Sequence, residues 1–150
     1  NALKILAELD YQAKRSLFKN IPEHAITRTK FSDQTTNGLT RAILKTFRLN
    51  GIFATRIDSK GTYNAHLKRF IPSTQKSGLP DILALPGGQA TWIEVKCKHT
   101  RDRLRPHQRK RIEELRATGA TVFIAEDYQS FYQWFIDHIK PENQLSTITI

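Results

Sequence analysis

The stretch SGLPDILALPGGQATWIEVKCK, residues 77–98, decides how this chain reads. Two apolar-rich runs, residues 80–85 and 91–97, flank Pro86-Gly87-Gly88, the pattern of a β-hairpin. A turn centred between Gly87 and Gly88 sets the register. Leu85 then faces Ala90, Leu83 faces Trp92, and Asp81 faces Glu94. Directly opposed residues bring their Cβ atoms to about 4.5–5.5 Å, and like charges placed that way repel. Side chains alternate along a strand, so Trp92, Glu94 and Lys96 share one face while Ile93, Val95 and Cys97 share the apolar one. Two carboxylates and an ammonium group therefore gather where apolar side chains would pack better.

Paired carboxylates suit a hard divalent cation with oxygen ligands, and Mg²⁺ typically takes only one or two of them while keeping several waters. Such an ion lowers the pKa of a bound water and neutralises charge on a phosphoryl oxygen. Lys96 is placed to hold the attacking water or to stabilise the transition state. The competing reading is a solvated face on which Lys96 screens the two acids. Glu-x-Lys alone is a weak signal; the opposed Asp81 strengthens it.

The rest of the composition supplies context. The chain has 150 residues, enough for one domain with a core, and a formal net charge of +10. That excess favours a polyanionic partner, because lysine and arginine contacts release counterions from phosphate backbones. No apolar run approaches the roughly 18 residues of a membrane span, so no membrane partner is expected. One cysteine, Cys97, excludes an internal disulfide and points to an intracellular setting.

Outside the hairpin, residues 3–19 read as an amphipathic helix with Leu3, Leu6, Leu9, Ala13 and Leu17 on its apolar stripe. The expected role is core packing; a DNA arm, a dimer element or a partner-binding helix are the alternatives. Residues 20–36 read as a linker, and residues 38–50 as a second helix stopped by Gly51. A strand at 52–57 precedes a long polar loop at 59–77. Residues 105–118 are helical, 121–125 form a strand and 127–139 a helix capped by Asp127. The alternating tail at 145–150 reads as an edge strand. A hairpin followed by a helical crossover to another strand gives an α/β fold with a mixed central sheet flanked by helices. The expected division is an N-terminal helix and linker over 1–35 and the main α/β domain over 36–150.

Gly78-Leu79-Pro80-Asp81, followed thirteen residues after the aspartate by Glu94-Val95-Lys96, resembles the signature of the PD-(D/E)XK nucleases. Leu104-Arg105-Pro106-His107-Gln108, a helix ending near Gly119, and the strand Thr121-Val122-Phe123-Ile124-Ala125 sharpen the resemblance to the VRR-NUC branch, over about residues 36–138. The resemblance implies a restriction-endonuclease-like core and Mg²⁺- or Mn²⁺-dependent hydrolysis of DNA phosphodiester bonds. It implies Asp81 and Glu94 as metal ligands with the main-chain carbonyl of Val95, Lys96 as the catalytic lysine, and Gln108 as the glutamine of the following helix. Spacing supports Gln108 independently, since Leu104, Gln108, Ile112 and Leu115 fall on one helix face. A polar residue on that stripe needs a partner, either in a structural hydrogen bond or in support of the site. Family members usually carry a glutamate on the first core helix; here the region reads Thr35-Thr36-Asn37-Gly38, without an acid. Asn37 or Thr36 offers an oxygen there, and neither Asp33 nor Asp58 is a secure substitute.

Nine lysines and arginines stand against three acids between Lys96 and Arg116. Lys98, Arg101, Arg103 and Arg105 suit phosphate contacts, which position a strand without reading it; the alternative is a solvated basic face. Lys60, Lys68 and Arg69 join Tyr63 and Phe70 in the long loop, a mixture suited to gripping or stacking on unpaired nucleotides and equally to a flexible basic loop with anchoring aromatics. The expected function is a metal-dependent DNA nuclease, an endonuclease in repair, phage or restriction contexts. Its competitor is a non-catalytic nucleic-acid-binding module on the same core. A homodimer would fit paired cuts in a two-fold substrate.

Overall fold

The computed structural model describes residues 1–140. The expected strand at 145–150 lies outside them. Helix α1, Ala2–Leu17, leads through a short 3₁₀ turn to α2, Thr36–Leu49. Strand β1, Ala54–Arg56, precedes a small ribbon of β2, Thr62–Asn64, and β3, Arg69–Ile71. Then come β4, Ile82–Ala84, β5, Thr91–Val95, α3, Pro106–Ala117, β6, Thr121–Ala125, and α4, Tyr128–His138. None of the helices is long and apolar enough to cross a membrane.

The main sheet runs β1-β4-β5-β6. The first two pairings are antiparallel and β5–β6 is parallel, as a helical crossover requires. The hairpin register is the expected one, with Ile82 opposite Ile93 and Leu83 opposite Trp92. Beyond the last ladder pair, the Ile57 N–H donates to the Asp81 carbonyl at 2.7 Å and the Lys96 N–H to the Ala125 carbonyl at 2.8 Å. Those two bonds tie Asp81, just before β4, and Lys96, just after β5, to the neighbouring strands.

Ile93, Val95 and Cys97 are buried on the face shared with α1, α2 and α4. Phe47 of α2 meets the edges of Phe131 and Phe135 of α4, with ring centroids 5.8 and 5.6 Å away. The Thr46 hydroxyl reaches the Tyr128 hydroxyl at 2.8 Å, which satisfies two polar groups inside this core. The α4 cap is the expected one, whereas α2 starts at Thr36, two residues before the expected 38. Thr35 accepts from the Gly38 N–H, and Asp127 from the Ser130 N–H. Asp33 adds a second carboxylate at the α4 start, accepting from the Tyr128 N–H at 3.0 Å, and so serves as a structural cap.

Helix α1 belongs to the same core, yet its buried face differs from the expected stripe. Ala2, Leu6, Asp10 and Tyr11 are buried, while Leu9 and Leu17 are exposed. The rotation follows from Asp10. Its Oδ1 lies 2.6 Å from the Lys45 ammonium of α2, close enough for an ion pair although poorly angled for a hydrogen bond. Its Oδ2 lies 3.0 Å from Lys14 and accepts from the Thr29 hydroxyl at 2.6 Å. Turning Leu9 inward would pull this carboxylate out of its cage. The region at 59–77 is also not a plain loop: β2 and β3 pair within it, with Tyr63 opposite Phe70. Five of the six residues of the two strands are exposed, Asn64 being the exception, so no buried face marks them in the sequence.

Candidate active site

Opposite the aromatic core, the second face of β5 lies under α3, which packs beside β6. Glu94 is fully buried there and Lys96 is 8% exposed. Their shared face is thus enclosed and not a solvated surface. The Lys96 Nζ lies 3.1 Å from Glu94 Oε1 and 3.4 Å from Asp102 Oδ2. Asp102 was not singled out from the sequence. It follows in the turn after β5, and only the fold shows that it steadies the lysine.

Gln108 occupies the third position of α3, and Pro106 opens that helix. Its Oε1 accepts the Arg105 backbone N–H at 3.0 Å. With the carbonyl end used in this way, the amide end faces the sheet and donates to Glu94 Oε1 at 2.9 Å. Ile112, one turn on, is buried, as the stripe requires. Gly78 lets the preceding loop approach the start of α3. It has φ +76°, and a Cβ there would stand 2.8 Å from the His107 carbonyl oxygen.

Asp81 stands at the end of β4, and its Oδ2 accepts from the Val95 N–H at 2.8 Å. Glu94 is less well provided. Oε1 takes both the Lys96 and Gln108 contacts, while Oε2 is buried without a hydrogen-bond partner among the described residues. Burial, and then the Asp81 charge, push the Glu94 carboxyl up to about 7 against the pull of Lys96. A buried acceptor in this state costs free energy that a cation would return. The donor set is compatible with a divalent ion of the kind that takes one or two protein carboxylates: Asp81 and Glu94 are neighbours and one buried oxygen is orphaned, while no group of three or more His, Cys, Asp or Glu is gathered among the described residues.

A cleft of about 300 Å³ opens beside Asp81, lined by Lys60, Arg105, His107, Gln108 and Asp58 among others. Lys60 and Arg105 thus stand at the candidate site. Lys68 and Arg69 lie on the distant ribbon, Lys68 at its turn with φ +48°. Lys98 is bound to Asp127 at 2.6 Å, which commits its charge to the α4 cap. Arg101, in a left-handed turn, and Arg103 are exposed. His99 reaches Gln34, outside the cleft. Asn37 is exposed on α2 and lines a different cavity from the one that Asp81 lines. The Cys97 thiol is buried and donates to the Asp33 carbonyl. Sequence reasoning missed Arg56, whose side chain borders both cavities.

A mixed sheet that presents a paired Asp and Glu with a lysine, backed by a glutamine from the crossover helix, defines a nuclease-like α/β domain. The VRR-NUC domain family model matches residues 39–127. A solved structure described as a VRR-NUC domain is 25% identical, covers 69% of this chain and 97% of its own, and superposes with a TM-score of 0.50. No curated protein is similar enough to match. The chain belongs to the VRR-NUC family, part of the PD-(D/E)XK nuclease superfamily.

Proposed function

We propose that the protein is a metal-dependent deoxyribonuclease, an endonuclease that hydrolyses DNA phosphodiester bonds with an activated water. The observation that carries this reading is the orphaned Oε2 of Glu94, in a buried carboxylate pushed up to about 7 beside Asp81. Asp81, Glu94 and the main-chain carbonyl of Val95 would hold Mg²⁺ or Mn²⁺. Such an ion supplies a bound water of lowered pKa and neutralises charge on the phosphoryl group.

The chain's own residues have distinct tasks. The Val95 N–H keeps the Asp81 carboxylate turned toward β5. Gln108 fixes the plane of the Glu94 carboxylate and leaves Oε2 free. Lys96, held between Glu94 and Asp102, brings its side-chain nitrogen to the place where phosphoryl charge develops. Lys60 and Arg105 on the cleft wall take the flanking phosphates.

One observation favours a second reading, a non-catalytic nucleic-acid-binding module: the first turn of α2 carries no acid. A single experiment separates the two. Single-stranded, duplex and branched DNA are incubated with the protein in Mg²⁺, Mn²⁺ or EDTA, beside Glu94→Ala and Lys96→Ala. Metal-dependent cleavage by the parent protein, lost in both variants, is expected. Absence of cleavage on every substrate, with salt-sensitive binding retained, would leave the binding module.

A further inference from the structure

A second cavity, of about 400 Å³, lies on the exposed side of α2. Its cations are Arg41, Lys45, Arg48 and Arg56, and no aspartate or glutamate lines it. Arg41, Lys45 and Arg48 follow helical spacing along one face of α2, and Arg56 closes the cavity from edge strand β1. The four cations differ in availability. Lys45 is committed to Asp10 at 2.6 Å. Arg41, Arg48 and Arg56 are exposed and make no ion pair among the described residues. Guanidinium groups are planar forks that match phosphate oxygens two at a time.

Arg56 carries the connection to the candidate active site. It lines this cavity and also the cleft of Asp81 and Gln108. The next residue, Ile57, is hydrogen-bonded to Asp81. One basic path therefore leads from the carboxylates, across the edge strand, to α2. Phe31 and Leu44, both partly buried, give the cavity an apolar wall beside its charges.

We propose that this cavity binds a backbone phosphate of the nucleic-acid strand that leaves the catalytic cleft past Arg56, an inference that rests on the nuclease reading above. It is a site for holding substrate, separate from the carboxylates and from the cations of the α3 side. Three uncommitted guanidinium groups facing one hollow repel one another, and a phosphate relieves that repulsion.

The test uses the full chain and its Arg41→Gln/Arg48→Gln double variant. Binding of a fluorescent single-stranded oligonucleotide is followed by anisotropy in EDTA, from about 50 to about 200 mM salt. The double variant is expected to bind about tenfold more weakly near 100 mM salt, with the log–log salt slope smaller by about 1 to 2. Its melting temperature should match the parent's, and Arg41→Lys/Arg48→Lys should recover part of the affinity. Unchanged affinity and slope would overturn the inference. Inorganic phosphate, titrated alone, separates the sources: if the double variant loses phosphate binding but holds the oligonucleotide as the parent does, the cavity serves free phosphate and the strand assignment falls. Cleavage assays keep the two readings apart. A parent that cleaves DNA while the double variant binds normally sinks only this inference. A parent that never cleaves, beside a double variant that loses DNA binding, supports the cavity and removes the nuclease. If the parent binds no nucleic acid, both fall.

Discussion

Two buried carboxylates, Asp10 and Glu94, have opposite fates. Asp10 is 1% exposed and Glu94 fully buried, and each has a lysine within about 3 Å. Burial alone would raise Asp10, but the Lys45, Thr29 and Lys14 contacts outweigh it and push it down to about 2. Glu94 has one lysine to share with Asp102, an acidic neighbour in Asp81, and an oxygen with no hydrogen-bond partner, and it is pushed up to about 7. Each Asp10 oxygen faces a lysine ammonium, Oδ1 that of Lys45 and Oδ2 that of Lys14, so its charge is matched although Oδ1 makes no hydrogen bond, and it acts as a clamp between α1 and α2. Glu94 has its one lysine against Oε1 and leaves Oε2 without a hydrogen bond beside the Asp81 charge, an environment of the kind that marks candidate functional groups.

Removing each acid should break the comparison in opposite senses. Glu94→Gln should cut metal-dependent cleavage at least about a thousandfold, since it removes a charged ligand worth several kcal/mol to the transition state. The same change should stabilise the metal-free protein at neutral pH, because an amide replaces a poorly paired buried charge. Asp10→Asn should do the reverse: a loss of about 3 kcal/mol in denaturant unfolding, because Lys45 and Lys14 lose their partner. A destabilised Glu94→Gln in EDTA would show that Glu94 is as well paired as Asp10.

Titration gives the next largest effect. Asp10 lies below its ordinary 3.8, so its contribution is complete above about pH 4 and is lost as pH falls toward 2, about 2 kcal/mol in all. Glu94 lies above its ordinary 4.5, so the metal-free protein is favoured below about pH 4.5 and loses about 3 kcal/mol as pH rises through 7. Thermal melts in EDTA should show that decline in the parent and not in Glu94→Gln. Adding Mg²⁺ at neutral pH should offset it, by about 2.7 kcal/mol at a hundred times the dissociation constant. Equal stabilisation of the parent and Glu94→Gln by Mg²⁺ would place the ion elsewhere.

The same pair explains what could be read from the sequence. Glu94 was legible because local rules govern it. The Gly87–Gly88 turn sets the register, strand alternation sets the face, and the helical stripe of α3 brings Gln108 over. Asp10 was not legible, because its partner Lys45 lies thirty-five residues away and nothing in α1 marks a polar position as buried. The expected α1 stripe placed Leu9 inward for that reason. Lys98 shows the same limit: it reads as a free cation until the fold brings Asp127 to it. The β2–β3 ribbon escaped notice because strands of three mostly exposed residues carry no apolar alternation. Arg41, Arg48 and Arg56 look like an ordinary solvated surface in sequence; only the fold encloses a hollow between them.

The smallest expected effect concerns Gln108, which does two things at once. Its carbonyl caps α3 by accepting from Arg105, and its amide holds Glu94. Gln108→Leu removes both, and should lower cleavage about tenfold, the worth of one charge-assisted hydrogen bond, with about 1 kcal/mol lost in stability. That result alone would not separate the cap from the contact. Gln108→Glu does. A glutamate can still accept from the Arg105 N–H, so the cap survives, but it sets a carboxylate against Glu94. The like charge should raise Glu94 further, so the rising limb of the pH–rate profile should move upward while stability at neutral pH in saturating Mg²⁺ stays near the parent's. A profile that stays in place would reduce Gln108 to a helix cap and leave Glu94 positioned by Lys96 alone.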